Sequence, residues 1–134
     1  MARFIPNSLS RYALSVMRIV AGFTFTLHGA QKILGAFGGL DGHGAKAAML
    51  SLPWFGGILE LSLGPLILLG VFTRPVAFIL AGEMAVAYFK VHAPRGFFPI
   101  LNGGELAVLY CFLFLFLSAT GAGPISLDRI RHKS

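Results

Sequence analysis

Four long apolar segments constrain the fold of this chain more than any other feature of its sequence. They cover residues 12–34, 53–72, 75–91 and 101–119. Each has about 17–23 residues, enough for a helix to cross ~30 Å of bilayer hydrocarbon. Pro53 and Pro75 stand where the first turn of a helix tolerates proline. The sequence therefore predicts an all-α integral membrane protein, a four-helix up-down-up-down bundle that forms a single domain over residues 1–134.

The composition agrees with a chain that lies in the lipid bilayer. Hydrophobic residues make up 56% and charged residues 12%, whereas a soluble domain carries about 25% charged residues. The formal net charge of +6 comes mostly from bases at the termini and in loops. The sequence has no basic stripe interleaved with aromatic residues, so we expect no nucleic-acid partner. A single cysteine, Cys111, leaves no intrachain disulfide.

The basic residues at the termini, in the loops and near the segment ends predict the orientation in the membrane. Six lie on the side of the termini and four on the other side: Arg3, Arg11, Arg74, Arg129, Arg131 and Lys133 against Lys32, Lys46, Lys90 and Arg95. By the positive-inside rule we expect both termini to lie in the cytoplasm. A cleaved signal peptide is the alternative for the first segment, but Arg18, His28 and Lys32 interrupt that segment.

Ionisable residues inside apolar segments are the best guide to function, because a charge at the bilayer centre costs about 3 kcal/mol or more. The candidates for a ligand pocket or proton relay are Arg18, His28, Lys32, Glu60, Glu83 and Glu105, with His92 and Asn102 as secondary candidates. In an up-down bundle the histidine and the three glutamates fall in the outer half of the membrane, within ~6 Å of one depth. We therefore expect a polar pocket toward the outer face.

Helical spacing gives each candidate a set of neighbours on one face. Gly57, Glu60 and Gly64 share a face, so small residues flank this carboxylate and let another helix approach closely. The other faces are Ala21-Thr24-His28-Lys32, Glu83-Ala87-Lys90 and Glu105-Val108-Phe112-Phe116. The alternative interpretation is structural: these polar groups fix the register of the helices and bind nothing.

Metal and haem sites are weaker alternatives. The Glu-x-x-His spacing of di-iron helical bundles does not occur in the sequence, so we expect no metal, although His28, Glu60 and Glu105 leave a single-metal site open. Haem held between His28 and His92 is also left open. We expect no covalently bound cofactor.

Several short motifs, taken in order, resemble the DoxX family. They are Arg18-Ile-Val-Ala-Gly, Leu27-His-Gly-Ala-Gln-Lys32, Gly57-Ile-Leu-Glu60, Leu69-Gly-Val-Phe-Thr-Arg-Pro75, Glu83-Met-Ala-Val-Ala87, Asn102-Gly-Gly-Glu105 and Gly121-Ala-Gly-Pro-Ile-Ser-Leu-Asp128. The resemblance extends from about residue 11 to residue 128. It implies a small four-helix protein of the bacterial cytoplasmic membrane, in a family named after subunits of a thiosulfate:quinone oxidoreductase.

The resemblance favours a subunit or module of a quinone-linked membrane redox system. Quinone is then the candidate cofactor, and a redox partner protein or a homodimer the candidate partner. His28 and Glu60 would contact the ligand, Glu83 and Glu105 would relay protons, and Arg18 would supply a counter-charge. Compared with the thiosulfate-oxidising subunits, we expect no soluble extra domain, and the sequence has a single cysteine. The sequence therefore leaves open whether the protein is an enzyme. The alternatives are a non-catalytic assembly partner and a pathway for protons or small solutes.

Overall fold

A computed structural model describes residues 4–132 of the protein, so Arg3 and Lys133 of the orientation argument lie outside the described residues. The prediction of an all-α fold is confirmed. The helices are α1 Asn7–Leu34, α2 Leu52–Leu69, α3 Thr73–Ala87, α4 Pro99–Asn102, α5 Glu105–Thr120 and α6 Leu127–Arg131. Short 3₁₀ turns cover Ala36–Gly38 and Ala93–Arg95, and a π-helical turn covers Tyr88–His92. Over residues 4–132 the β-structure is limited to an isolated bridge between Gly39 and Ala45.

Three of these helical stretches are long and apolar enough to cross a membrane: Asn7–Leu34, Leu52–Leu69 and Thr73–Arg95. The fourth apolar helix, α5, has 16 residues and is therefore about 24 Å long, less than the ~30 Å of bilayer hydrocarbon. The predicted fourth segment is shorter because Gly103 takes a left-handed conformation, with φ 73°, and separates α4 from α5. The result is an all-α membrane protein whose fourth apolar helix is unusually short.

The ends of α2 follow from local chemistry. The Ser51 hydroxyl accepts a hydrogen bond from the Trp54 amide at 3.3 Å, which caps the first turn, and Pro53 occupies that turn. Gly70, with φ 69°, ends the helix, and its amide bonds to carbonyls of the last turn. The helix thus stops before residue 72, where the apolar segment ends in the sequence.

The chain forms two compact units. The first comprises Met1–Thr73 with Ala122–Ser134, and the second comprises Arg74–Gly121. In the first unit α1 and α2 are the main elements. In the second unit the buried residues of α3 are Val76, Ala77, Leu80, Ala81 and Met84, and those of α5 are Ala107, Phe114 and Leu117. The Arg74 guanidinium donates to the Ser118, Ala119 and Thr120 carbonyls, which ties the start of α3 to the end of α5.

Candidate functional site

Glycines bring α1 and α2 into backbone contact along one seam. A Cβ atom added at Gly22 would lie 2.3 Å from the Leu68 amide nitrogen, and one at Gly29 would lie 2.3 Å from that of Leu61. On the opposite helix, Gly64 meets Thr26 in the same way. Along the seam, residues later in α1 contact residues earlier in α2, so the two helices are antiparallel. Small residues permit this approach in lipid, where dispersion and hydrogen bonds hold helices together.

Lys32 and Glu60 form an ion pair at one end of this seam. The Lys32 Nζ lies 2.7 Å from the Glu60 Oε1. The cation comes from α1 and the carboxylate from α2. Glu60 is 2% exposed and Lys32 is 24% exposed. As the glycine spacing on α2 predicts, Glu60 lies on a buried face with Gly57 and Gly64. The lysine neutralises a carboxylate that lipid would otherwise exclude.

The two oxygens of the Glu60 carboxylate differ in their hydrogen bonding. Oε2 is buried and has no hydrogen-bond partner among the described residues. An ionised carboxylate has about four lone-pair sites for hydrogen bonds, and a buried acceptor without a donor costs about 1–3 kcal/mol. Glu60 lies about 12 Å along α2 from Leu52, at 1.5 Å per residue. The arrangement can therefore accept a hydrogen bond from a donor that reaches this depth.

His28 lies one helical turn before Lys32, but it is exposed rather than part of the seam. Its ring packs edge-on against Phe25, with 6.4 Å between ring centroids. The buried residues of α1 are Ser15, Arg18, Ala21, Gly22, Phe25 and Gly29. The face that carries His28 is thus turned away from α2, although His28 remains close to Lys32 along the helix.

Arg18 lies at the other end of the seam and is fully buried, with 0% exposure. Its Nη1 donates to the Ile67 and Leu68 carbonyls, each at 2.6 Å, which are carbonyls of the last turn of α2. Its Nε donates to the Ala122 carbonyl at 2.9 Å, and its Nη2 donates to the Ile125 carbonyl. We call this arrangement the Arg18 clamp. The C-terminal end of α2 is the negative end of its helix dipole, which a cation stabilises. The guanidinium donates its hydrogen bonds to backbone carbonyls.

Other polar residues fasten the C-terminal segment beside the Arg18 clamp. The Ser15 hydroxyl donates to the Ala122 carbonyl and accepts from the Ile125 amide. The Asp128 carboxylate accepts from the Phe72 and Thr73 amides at 2.8 and 2.9 Å, which caps the start of α3. Burial alone would raise the pKa of Asp128, but these hydrogen bonds and nearby Arg131 hold it below its ordinary value.

The second unit holds the remaining candidates. Glu83 is half-buried on α3, Lys90 is exposed, and Glu105 is the exposed first residue of α5. Phe112 and Phe116, which share a helical face with Glu105, are also exposed. The structure thus brings Lys32 and Glu60 together within the first unit. The convergence of Glu83 and Glu105 with them in one pocket stays a prediction.

The two secondary candidates, His92 and Asn102, do lie together in the second unit. The His92 Nδ1 lies 3.2 Å from the Asn102 carbonyl oxygen. The Asn102 side chain donates to the Tyr88 hydroxyl and to the Gly96 carbonyl, and accepts from the Gly104 amide. Tyr88 in turn donates to the Phe97 carbonyl. This network fixes the connection between α3 and α5 and employs every hydrogen-bonding atom of the Asn102 side chain.

Sequence reasoning did not single out Tyr88, Ser15 or Asp128 as structural residues. Tyr88 precedes His92 by one helical turn, which was a signal for a shared network. Asp128 bonds to residues 55 and 56 positions away, and no sequence signal indicates that contact. Among residues 4–132, no group of three or more histidine, cysteine, aspartate or glutamate side chains is arranged to hold a metal ion.

Known proteins resemble this chain in sequence. A family model described as DoxX matches residues 13–93, which include both Arg18 and the Lys32–Glu60 pair. A Haemophilus influenzae protein described as uncharacterized is 45% identical over 129 residues, covering 91% of this chain and 95% of that protein. Another uncharacterized protein of the same organism is 37% identical over 68 residues, covering 51% of this chain and 45% of that protein. No solved structure matches the chain.

Proposed function

The chain belongs to the DoxX family of membrane proteins, and on that premise we propose that it is a quinone-binding module of a membrane redox system. The proposal rests on the Glu60 carboxylate, which is 2% exposed and paired through Oε1 with Lys32. Its Oε2 has no hydrogen-bond partner within residues 4–132. In this proposal the protein lies in the bacterial cytoplasmic membrane, with both termini in the cytoplasm as the loop charges favour.

A quinone headgroup complements the Lys32–Glu60 pair in both redox states. The ammonium of Lys32 has three N–H donors and gives one to Glu60, so a second can bond to a quinone carbonyl. Glu60 Oε2 can accept from a hydroxyl of the reduced form. A ligand with an apolar tail reaches a carboxylate about 12 Å along α2 from within the hydrocarbon. The partly exposed Lys32 side chain marks the side from which it enters.

In this proposal Glu60 and Lys32 bind the headgroup. When a quinol is oxidised, Glu60 takes up its two hydroxyl protons in turn and passes each one on before the next. The two electrons pass to a separate redox partner protein, since a chain with one cysteine has no dithiol couple of its own. His28, one turn from Lys32, exchanges the proton with the outer aqueous phase. Glu83 and Glu105 extend the relay. Arg18 acts only by holding the end of the α1–α2 seam, because its donors are bonded to backbone.

Binding of a short-tailed quinone to the purified protein in nanodiscs tests the proposal. We expect Glu60→Gln and Lys32→Met to weaken binding at least tenfold, about 1.4 kcal/mol, with the helical content unchanged. Ser62→Ala is the matched control, because Ser62 is an exposed polar residue on the same helix. Equal affinities for all four proteins would contradict the proposal. Proton or solute flux into vesicles that Glu60→Gln abolishes would select a transport pathway instead.

Exposure of His28 favours a second candidate, a non-catalytic assembly subunit. An ionisable side chain exposed on a spanning helix is costly in lipid, and a neighbouring subunit would cover it. His28→Cys in a Cys111→Ala background provides the test. Cross-linking at residue 28, combined with normal quinone affinity in Glu60→Gln, would support assembly over redox chemistry. No cross-link at residue 28 would speak against this second candidate.

A further inference from the structure

The 35–51 loop between α1 and α2 is folded back on itself. The Gly44 amide bonds to the Gly38 carbonyl and the Leu40 amide bonds to the Ala45 carbonyl, both at 2.9 Å. The Asp41 Oδ1 accepts from the His43 and Ala45 amides. These bonds hold the Asp41 carboxylate in its charged form and lower its pKa. The loop therefore has a fixed backbone and a polar tip over residues 41–46.

Apolar side chains lie on both sides of this polar tip. Phe37 and Leu40 precede it and Met49 and Leu50 follow it, and all four are exposed, Phe37 by 70% and Met49 by 78%. Phe37 and Leu50 have φ angles of 53° and 66°, a left-handed conformation that costs a residue with a side chain about 1–3 kcal/mol. The fixed backbone thus bears strain at two positions whose apolar side chains face outward.

The length of α2 sets the depth of the loop. With 18 residues it is about 27 Å long, slightly less than the ~30 Å of hydrocarbon, so α2 has no length to extend beyond it. Residues 49–51, directly before Leu52, therefore lie at the hydrocarbon boundary. The Ala47 amide bonds to the Lys32 carbonyl at 2.7 Å, inside the last turn of α1. Residues 49 and 50 lie just before α2, and Gly44 of the polar tip packs against Gly35 at the end of α1, so the whole loop is folded onto the helix ends.

We propose that the 35–51 loop is an interfacial anchor that inserts Phe37, Leu40, Met49 and Leu50 among the acyl chains of the outer leaflet. A bilayer is favoured over a protein partner because the apolar residues adjoin the ends of two spanning helices, which the lipid already surrounds. The order of apolar, polar and apolar residues follows the change from hydrocarbon to water at that surface. Trp54, in the first turn of α2, is the type of residue enriched at this depth.

Spin labels on single cysteines test the proposal in the full-length protein, reconstituted at low protein-to-lipid ratio in a Cys111→Ala background. The labelled positions are 37, 40 and 49, with His43→Cys in the polar tip as the matched control. Collision rates with oxygen, which concentrates in lipid, and with a water-soluble nickel chelate report the surroundings of each label. We expect the oxygen-to-nickel ratio at positions 37, 40 and 49 to exceed that at position 43 several-fold.

Either of two results would overturn the proposal. A ratio at positions 37, 40 and 49 equal to that at position 43 would place these side chains in water. Low collision rates with both reagents would place them against protein, such as a second copy or a redox partner. Phe37 has a positive φ, so Phe37→Cys can prevent folding. In that case the result at Met49→Cys decides the test.

Discussion

The two ends of the α1–α2 seam bury a cation in opposite ways. At one end, Arg18 is fully buried and donates to four backbone carbonyls. At the other end, about 21 Å along α1, Lys32 is partly exposed and its partner Glu60 keeps one buried oxygen without a donor in the described part of the chain. From this contrast we infer that a buried charge whose nitrogen atoms all have partners is part of the framework. One with a bond left to make is the candidate for ligand chemistry.

Replacement of Arg18 should produce the largest loss of stability. Arg18→Met removes one donor from each of four carbonyls in a buried site, and only those of Ile67 and Ala122 keep a bond, from the Gly70 amide and the Ser15 hydroxyl, among the described residues. We expect the free energy of unfolding to fall by about 3–5 kcal/mol. Arg18→Lys retains the charge without the planar set of donors and should lose less. Thermal unfolding in detergent measures both. Equal stability of Arg18→Met and the parent would show that the Arg18 clamp contributes nothing.

A methyl group added in the α1–α2 seam should reduce the free energy of unfolding somewhat less than replacement of Arg18. Gly29→Ala places a Cβ atom 2.3 Å from the Leu61 backbone nitrogen, so the helices must separate. We expect a loss of about 1–3 kcal/mol together with weaker quinone binding. Gly82→Ala on α3 is the matched control, because a Cβ atom at Gly82 meets nothing within 4 Å. That control should be neutral or gain about 0.5–1 kcal/mol, and a similar loss in both variants would refute the close packing.

The Lys32–Glu60 pair should respond asymmetrically to replacement of its members. Lys32→Met leaves a carboxylate buried without its cation, whereas Glu60→Gln leaves a lysine whose side chain is partly exposed. We expect a loss of about 3 kcal/mol for the first and about 1 kcal/mol for the second. The double variant should be more stable than Lys32→Met alone. Additive losses in a double-mutant cycle would mean that the two side chains do not interact.

The smallest expected effect is a pH dependence in the C-terminal segment. The folded pKa of Asp128 lies below its unfolded value, so the folded chain binds fewer protons. The contribution of Asp128 is therefore present above the ordinary carboxyl pKa and is lost as the pH falls through the folded pKa. The protection factors of the Phe72 and Thr73 amides, which correct for the intrinsic pH dependence of hydrogen exchange, should fall with acid in the parent chain and should not change in Asp128→Asn. Asp41→Asn serves as the control, since Asp41 bonds only within the 35–51 loop.

The sequence predicted the fold class and the buried face of α2, because the spacing of Gly57, Glu60 and Gly64 is local information. It could not select the partner of Glu60, since that choice depends on the rotation of α1. The polar residues of α1 suggested that the face carrying His28 contacts α2. In the structure Gly22 and Gly29 make that contact instead. Adjacent positions on a helix differ by 100°, so an offset of one residue exposes His28.

The break before α5 was likewise beyond sequence reasoning. Gly103 and Gly104 lie in an apolar segment and are compatible with a continuous helix. The left-handed φ of Gly103 is fixed by Asn102, whose side chain accepts from the Gly104 amide and donates to Tyr88. That network joins residues from separate helices, and neither helix alone indicates it. For this reason Glu105 begins a helix, although the sequence places it four residues inside one.

An infrared difference spectrum between quinol-loaded and ligand-free protein in nanodiscs tests whether the Glu60 carboxylate binds the quinol headgroup. We predict a change in a carboxyl stretching band when the quinol donates to Glu60, and loss of that change in Glu60→Gln with Ser62→Ala unaltered. Identical carboxyl bands in the parent protein and in Glu60→Gln would contradict it, because the Glu60 carboxylate would then be structural, as Arg18 is.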